Sequence, residues 1–386
     1  MSGPITPPDS QGPSTGSNLS KTTPLKRDLP GSQTHSSTPP LARASKCYKH
    51  MTQDACEKFV GPMPIVEFLL EFIPEASKAR PMNKIDFVLP SVSRNEDQFI
   101  GHSTSKEISM FTPLQIRAIK KSGLCPNLKF IDTTAHQDGP FPLKPDISIY
   151  SDYPDDSPVS QWFLDWKTVD LWVENKNSSD DIFCSLTKME SKDEIDSDLE
   201  SHIKWTKSSY NICGQLLSYA SALHHSQFHV FSFAIVLFSD MGQLLQWDCS
   251  GVIYSESFNW AKEPDTLFEF FWRLNFLSDA DCGYNTTVTS VGDDEAEAAL
   301  LKLKTFKRFK NVQRSDLHKI LVHDDCATDG ELRCYITLSV IWHTNSLFSC
   351  STFGYIAYDV ATLNLVYLKD FWHMDLPGIQ KEGDVY

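Results

Sequence analysis

The fold is decided by three pieces of sequence: LKPDISIY (Leu143–Tyr150), LWVENK (Leu171–Lys176) and GQLLSY (Gly214–Tyr219). In the first two pieces, apolar residues alternate with polar or small ones, which is the period of a β-strand. In the third piece, Gln215 and Tyr219 are four residues apart, so they share one face of a predicted helix. We therefore expect two strands followed by a helix.

The two predicted strands carry side chains that suit a metal site. If the strands are neighbours, Asp146 lies close to Glu174 and Lys176. Paired carboxylates bind Mg²⁺, a hard cation that prefers oxygen ligands and keeps several waters. Side chains two residues apart in a strand point to the same face. Lys176 is therefore placed to orient a water or to stabilise negative charge beside Glu174.

A second D-x-K sequence, Asp165-Trp166-Lys167, lies closer to Asp146 along the chain. Glu174-x-Lys176 is the preferred motif because apolar residues precede it at strand spacing and a polar loop follows it. The alternative, in which Glu174 and Lys176 are an exposed polar face without chemistry, stays open.

The three pieces resemble the motifs of the PD-(D/E)xK nuclease superfamily in the expected order. Pro145-Asp146 is similar to the first motif, Glu174-Asn175-Lys176 to the second, and Gln215-x-x-x-Tyr219 to the helical motif of the RecB-like branch. The resemblance implies an α/β (α+β) fold with a central mixed sheet flanked by helices. It implies Asp146 and Glu174 as ligands of Mg²⁺, Lys176 as electrostatic helper, and Gln215 with Tyr219 as substrate positioners.

Composition bounds the class of protein. With 386 residues, 41% of them hydrophobic, the chain is long enough for two domains and a substantial core. The net charge of −15 argues against a broadly basic nucleic-acid surface. The ten cysteines include no C-x-x-C pair, which argues against zinc.

The sequence shows neither an apolar signal core nor a run of the ~20 apolar residues that a membrane helix needs. We therefore expect no membrane association and an intracellular protein, cytoplasmic or nuclear, with reduced thiols.

The chain divides into three predicted regions. Residues 1–45 are rich in Ser, Thr, Pro and Gly, which predicts a disordered tail. Residues 46–310 form the nuclease-like domain, and within it residues 177–200 are a polar, acidic insertion that we expect to be a loop or a solvated helix. Residues 311–386 form the third region.

Several elements of the middle region are predicted individually. FTPLQIRAIKKS (Phe111–Ser122) predicts a helix capped by Thr112. A second helix is predicted over Ser208–His224, and Met241-Gly242 is predicted as the turn of a hairpin. A helix over Asp294–Phe309 ends in a basic cluster that we expect to be a solvated helix end. The cluster consists of Lys302, Lys304, Lys307, Arg308 and Lys310.

From Glu331 onward, three antiparallel strands are predicted: LRCYITLSVIW, TFGYIAYDV and LNLVYLKDFW. The last strand holds Lys369, and Glu382 follows thirteen residues later at the predicted start of a helix.

This end of the chain resembles the small lobe of the fungal-type protein kinase family, above all in AYDVATLNLVYLKDFWHMDLPGIQKEGDVY. Upstream phrases, including LKPDISIY, LWVENK and GQLLSYASALHHSQFHVFSF, also look like the N-terminal region of that family. The resemblance covers most of residues 47–386. It implies that Lys369 contacts nucleotide phosphates and pairs with Glu382. The two resemblances are compatible, because the N-terminal region of the kinase family itself carries the nuclease-like pattern.

Departures from the family also matter. The sequence reaches Tyr386 without an H-R-D or a D-F-G motif, and Ser349–Phe353 replace the Gly/Arg-rich turn. We therefore expect a truncated lobe that lacks a cradle for ATP and transfers no phosphate, with Lys369 and Glu382 as a structural ion pair.

Three hypotheses follow from the sequence. The first is a regulatory or binding fragment that docks on a protein partner or on the missing kinase lobe. The second is a Mg²⁺-dependent nuclease acting on nucleic acid. The third is a protein–protein scaffold without chemistry.

Overall fold

The computed structural model describes residues 52, 55, 58–75, 105–134, 143–151, 164–177, 182–183, 207–238, 240–324, 332–338, 342–343, 347–348 and 352–372. All of them lie within the unit Pro40–Tyr386. The predicted disordered tail, residues 1–45, lies outside the described residues, as do Glu382 and most of the predicted acidic insertion.

A mixed sheet of seven strands forms the centre of the described structure. In chain order its strands are β1 (Phe59–Met63), β2 (Lys129–Asp132), β3 (Ile147–Tyr150), β4 (Leu171–Lys176), β5 (Phe231–Phe238), β6 (Met241–Asp248) and β7 (Val252–Ser255). Their spatial order is β1-β7-β6-β5-β4-β3-β2. The pairs β1–β7 and β4–β5 are parallel and the others are antiparallel. The predicted fold class, a mixed α/β structure with helices around a mixed sheet, is confirmed.

The five α-helices of the described residues are α1 (Ile65–Phe72), α2 (Ser105–Ser122), α3 (Lys207–Ser226), α4 (Asp265–Leu274) and α5 (Asp293–Leu303). Helix α3 covers one face of the central sheet, where Leu216 and Ala220 share an apolar cluster with Trp172 and Val236. Helices α1, α2 and α4 cover the opposite face, in the cluster that contains Ile235. This division follows from the strands, because successive residues of a strand point to opposite faces.

Strand β5 shows why the centre of the sheet is so apolar. Its sequence, FSFAIVLF, is buried at every position after the first. A strand covered by helices on both faces becomes almost continuously hydrophobic instead of alternating. The burial of β5 between α3 and α4 therefore follows directly from its composition.

A second sheet of six strands lies in the C-terminal part of the described chain. Its strands are β8 (Val288–Thr289), β9 (His318–His323), β10 (Leu332–Thr337), β11 (Trp342–His343), β12 (Phe353–Asp359) and β13 (Asn364–Asp370). All of its pairs are antiparallel. Helix α5 packs on this sheet through Ala296, Ala299 and Leu303, which share an apolar cluster with Ile336 and Tyr358.

The second sheet begins earlier in the sequence than predicted. Strands were expected only from Glu331, but β9 pairs along the whole of β10, and β8 pairs with β9. The two-residue strand β8 is too short to leave a periodic pattern, and only the pairing of distant residues creates it. The predicted domain division at residue 310 stays a prediction.

The C-terminal end predicted for α5 is wrong. The helix ends at Leu303, and a separate 3₁₀-helix, Lys307–Phe309, lies where the helix was predicted to continue to Phe309.

Two further local predictions are wrong. Helix α2 begins at Ser105, so Thr112 lies inside the helix and does not cap it. Phe238 at the end of β5 pairs with Met241 at the start of β6, so the hairpin turn does not include Met241-Gly242. Gly242 is instead a strand residue, at which a side chain would collide with Leu237 and Phe258.

The predicted acidic insertion is not solvated throughout. Ile182 and Phe183 are buried in the α3-side apolar cluster. The ring of Phe183 lies 4.4 Å from that of Tyr254, measured between centroids. The expected exposure to solvent is therefore wrong at these two residues, because their apolar side chains pack on the core.

In the parts of the chain described here, no helix has the length and the apolar character needed to cross a membrane.

Candidate functional site

Strands β3 and β4 place Asp146 opposite Glu174. The strands pair in antiparallel register with Ile147 opposite Val173, and one further step of this register brings Asp146 to Glu174. Directly opposite side chains on antiparallel strands have Cβ atoms about 4.5–5.5 Å apart. The backbone N–H of Asn175 also donates to Oδ2 of Asp146 at 2.7 Å.

The two carboxylates project from the same face of the sheet. Trp172 lies two residues before Glu174 on β4, so the two side chains share a face, and Trp172 belongs to the α3-side cluster. Tyr150 on β3 belongs to the same cluster. Ile147 belongs to the cluster on the opposite face, so its neighbour Asp146 points toward α3. Both carboxylates therefore lie on the α3 side of the sheet.

Lys176 joins the same face, two residues after Glu174. Its ammonium group donates to Oε1 of Glu174 at 2.5 Å and to Oε1 of Gln215 at 2.9 Å. The Glu174 side chain is 4% exposed and that of Lys176 is 16% exposed. The lysine charge is thus held beside the carboxylate in a largely water-excluded setting, where charge interactions are stronger than in water.

Helix α3 supplies Gln215 and Tyr219, one helical turn apart. The Gln215 amide donates to Oε1 of Glu174 at 3.0 Å and to the Tyr219 hydroxyl at 2.7 Å. The Tyr219 hydroxyl in turn donates to the backbone carbonyl of Lys144 at 2.8 Å. A continuous chain of hydrogen bonds therefore runs from the backbone before Asp146 to Lys176.

Tyr219 also has a packing role. Its side chain is fully buried, and its ring stacks on Trp166 at 5.8 Å and meets Trp172 edge-on at 5.2 Å between centroids. The ring therefore belongs to the core while the hydroxyl belongs to the polar site. This dual placement fixes the height of α3 above β4.

The charge environment of Asp146 is unusual. Burial, followed by the negative charge of Glu174, raises the pKa of Asp146 to about 7. The Asn175 N–H and the Lys176 ammonium act in the opposite direction but do not offset the increase. Two neighbouring carboxylates with little access to water favour either a proton or a cation between them.

One oxygen of the site has no hydrogen-bond partner among the described residues: Oε2 of Glu174, which is buried. An unpaired buried carboxylate oxygen is costly, because it loses its water and gains nothing in return. A hard divalent cation on Oε2 would offset that cost, and Asp146 is the second oxygen donor nearby. The site therefore fits Mg²⁺, with the two side chains as ligands and water completing the shell.

No larger cluster competes with this pair. Among the described residues, no group of three or more His, Cys, Asp or Glu side chains is arranged to hold a metal ion. Mg²⁺ typically needs only one or two carboxylates and keeps several waters. A pair of acidic side chains is thus compatible with Mg²⁺ and less so with metals that need three or four protein ligands.

The competing motif, Asp165-Trp166-Lys167, lies in a turn outside β4. Asp165 accepts a hydrogen bond from the backbone N–H of Lys167 at 3.0 Å, and Trp166 is buried in the core. The side chains of Asp165 and Lys167 are exposed. The structure therefore assigns this motif to a local turn.

The sequence did not predict the buried hydrogen bonds that Asn175 of β4 makes with helix α2. Asn175 points to the face opposite Glu174, where its amide pairs with the Gln115 amide at 2.9 and 3.2 Å and donates to the Thr112 hydroxyl at 3.1 Å. All three residues are buried. A polar residue in an otherwise apolar strand was the available signal, but its partners on α2 could not be identified from spacing.

Lys369 lies on β13, far along the sequence from the acidic pair. It is exposed, and its ammonium group lies 5.1 Å from the centroid of the Phe371 ring. Its cross-strand partner is Gly354, at which a side chain would collide with Tyr367. Glu382 lies outside the described residues, so its predicted pairing with Lys369 stays a prediction.

A comparison with known protein families shows to which family the chain belongs. The sequence profile described as "Fungal protein kinase" matches residues 168–375, just over half of the chain. The chain belongs to the fungal protein kinase family. A comparison with curated proteins and one with solved structures each gave no match.

The family match covers both parts of the described structure. In this fungal protein kinase family member, the matched range includes Glu174, Lys176, Gln215 and Tyr219 as well as Lys369. Asp146 lies before it. The family prediction is confirmed, whereas the roles of the individual site residues stay predictions.

Proposed function

We propose that this member of the fungal protein kinase family carries a Mg²⁺-dependent phosphodiester-hydrolysing site of the PD-(D/E)xK nuclease type. The observation that supports it most is the hydrogen-bonded assembly of three separate motifs around Glu174. Lys176 and Gln215 both contact Oε1 of Glu174, while Oε2 is buried without a partner among the described residues. Asp146 lies opposite in the strand register.

In this proposal Asp146 and Glu174 hold the cation. When bound, Mg²⁺ polarises the phosphodiester and lowers the pKa of a coordinated water. Lys176 supplies a fixed positive charge on the same face and stabilises the negative charge of the phosphate as it is attacked. Gln215 positions both the Lys176 ammonium and the Glu174 carboxylate, and Tyr219 secures Gln215.

A cleavage assay tests this function. The full chain is incubated with Mg²⁺ or Mn²⁺ and with labelled single- or double-stranded DNA. Wild type is expected to cleave at least one of them, and Asp146→Asn or Glu174→Gln to lower the rate by about a hundredfold or more. Asp165→Asn, in the competing turn motif, is the matched control and is expected to retain activity.

Two outcomes contradict the nuclease proposal. One is cleavage that persists in both Asp146→Asn and Glu174→Gln, which would identify a contaminating enzyme. The other is no cleavage of either DNA by a folded wild-type protein. That second outcome favours the non-catalytic scaffold.

We also propose that the second sheet is a binding or regulatory unit without phosphotransfer activity. Lys369 is exposed beside Phe371, which supports a structural role for it. Three large apolar side chains of β13 and its flanks are exposed, which suits contact with a protein partner. They are Leu363, Tyr367 and Trp372.

Phosphotransfer is measured directly with radiolabelled ATP, Mg²⁺ and a mixture of protein substrates. No transfer is expected from the wild type or from Lys369→Met. Labelling that occurs with the wild type and disappears with Lys369→Met would contradict the proposal.

A further inference from the structure

The segment 302–314, here called the basic segment, has a charge opposite to that of the whole protein. It contains six cationic residues, and no acidic residue occurs between Glu297 and Asp316. The chain as a whole carries a net charge of −15. The six residues are Lys302, Lys304, Lys307, Arg308, Lys310 and Arg314. A local concentration of positive charge on an acidic protein points to a polyanionic ligand.

The cationic side chains of the basic segment face the solvent. The basic segment runs from the last turn of α5 through a 3₁₀-helix at Lys307–Phe309. Leu303 and Phe309 are buried in the cluster under the second sheet and anchor the segment, while all six cationic residues are exposed. Of these six, Arg314 is the one with a carboxylate partner among the described residues, Asp293.

An aromatic ring is exposed among the cations. Phe306, between Lys304 and Lys307, is 41% exposed, and its ring lies 6.0 Å from that of the buried Phe309. Aromatic rings interspersed with basic residues are the arrangement that binds single-stranded nucleic acids, since bases stack on the rings and phosphates pair with the cations.

A membrane surface fits less well. Interfacial helices insert a whole apolar face into the lipid, but here Leu303 and Phe309 already pack inside the protein.

We propose that the basic segment binds single-stranded nucleic acid, with its cations on the phosphate backbone and Phe306 stacked on a base. This site is separate from the acidic pair and does not rest on metal binding or on cleavage. Its binding can therefore be measured without a divalent cation.

The experiment is fluorescence anisotropy with a labelled single-stranded oligonucleotide of about 16 nucleotides, in EDTA, on the full chain. The test variant is the triple substitution Lys304→Gln, Lys307→Gln and Arg308→Gln. The control is Lys120→Gln, Lys121→Gln and Lys262→Gln, which removes three other exposed cations and gives the same net charge. Phe306→Ala tests stacking separately.

The test triple is expected to weaken binding about tenfold or more and to reduce the slope of log K against log salt concentration by about 2. The control triple is expected to stay within about twofold of wild type. Phe306→Ala is expected to weaken binding several-fold without changing the salt slope. Circular dichroism confirms that each variant is folded.

Three results would overturn the proposal. The first is an equal loss of affinity in the two triple variants, which would show a general charge effect. The second is an unchanged affinity in Phe306→Ala, which would show that Phe306 does not stack on a base and that the segment is not specific for single strands. The third is binding to vesicles with anionic lipids, dependent on the basic segment, together with no binding to the oligonucleotide.

Discussion

Among single residues, Glu174 connects the other members of the candidate site. One of its oxygens accepts from Lys176 and Gln215, and the other is buried without a partner among the described residues. A side chain in such a position is expensive to keep for stability alone. The arrangement is better explained by a ligand that completes it.

Lys176 gives a first prediction at this scale. Lys176→Met removes the cation that balances the buried Glu174 carboxylate, so the free energy of unfolding is expected to fall by about 3 kcal/mol. Urea denaturation at neutral pH measures the change. Lys167→Met, on an exposed turn, is the control and is expected to stay within about 0.5 kcal/mol of wild type.

A second variant separates charge from packing. If the cost of Lys176→Met arises from the unbalanced carboxylate, adding Glu174→Gln should recover much of it. An additive loss in the double variant would show instead that the lysine acts through its apolar stem.

At the scale of elements, α2 and β4 meet at a buried amide pair. Asn175 directs its side chain to Gln115 and its backbone N–H to Asp146. The contact therefore connects the packing of α2 to the position of Asp146, the proposed metal ligand. Helix α2 supports the candidate site from the face opposite the acidic pair.

Removing this contact should be costly. Gln115→Leu leaves the buried amide of Asn175 with fewer partners, and the free energy of unfolding is expected to fall by about 2 kcal/mol. Urea denaturation of Gln115→Leu and of Gln115→Leu/Asn175→Leu is the measurement. Replacing both partners by apolar groups is expected to recover stability, and an equal or greater loss in the double variant would contradict the argument.

Helix α3 and β5 meet at another buried polar contact, between the His224 ring and the Ser232 hydroxyl at 3.0 Å. Burial lowers the pKa of His224 to about 3, with further contributions from His229 and His225. The pKa of His229 is also lowered by burial, to about 4. Both histidines are therefore neutral in the folded protein at neutral pH.

This contact predicts a dependence of stability on pH. Below an unfolded-state pKa of about 6.5, the unfolded chain takes up protons that the folded protein does not, so stability falls as the pH decreases. His224→Gln should flatten the decrease between about pH 7 and about pH 5 relative to wild type. His323→Gln, at an exposed position, is the control, and equal slopes in all three proteins would contradict the prediction.

The elements also show how far sequence reasoning reaches. LWVENK was predicted as a strand and is β4, residue for residue, because a short apolar run that includes a β-branched and an aromatic residue is typical of a buried strand. The start of α2 was misplaced, because Thr112-Pro113 has the local chemistry of a helix start.

The residues of the candidate site were easier to predict from the sequence than the buried Gln115–Asn175 pair that lies behind them. Asp146, Glu174, Lys176, Gln215 and Tyr219 were chosen from motif order, and the structure brings them into one assembly. Gln115 lies 60 residues from Asn175 in sequence, and no periodicity connects them. Long-range polar pairs depend on how helices dock, which a local pattern does not encode.

In the described structure as a whole, the candidate sites lie on two different sheets. The central sheet holds the acidic pair, and the second sheet holds Lys369 and the basic segment beside it. The family match spans parts of both sheets. The chain is therefore a member of the fungal protein kinase family whose candidate reaction site lies on the central sheet.

The proposed function requires that Asp146 and Glu174 together bind a divalent cation. Its most direct test is the titration of the full chain with Mn²⁺, a paramagnetic substitute for Mg²⁺, followed by electron paramagnetic resonance. One Mn²⁺ is expected to bind per chain, with affinity lowered about tenfold or more by Asp146→Asn or Glu174→Gln and unchanged by Asp165→Asn. Absence of Mn²⁺ binding by the folded wild type, or equal binding by all four proteins, would contradict the claim.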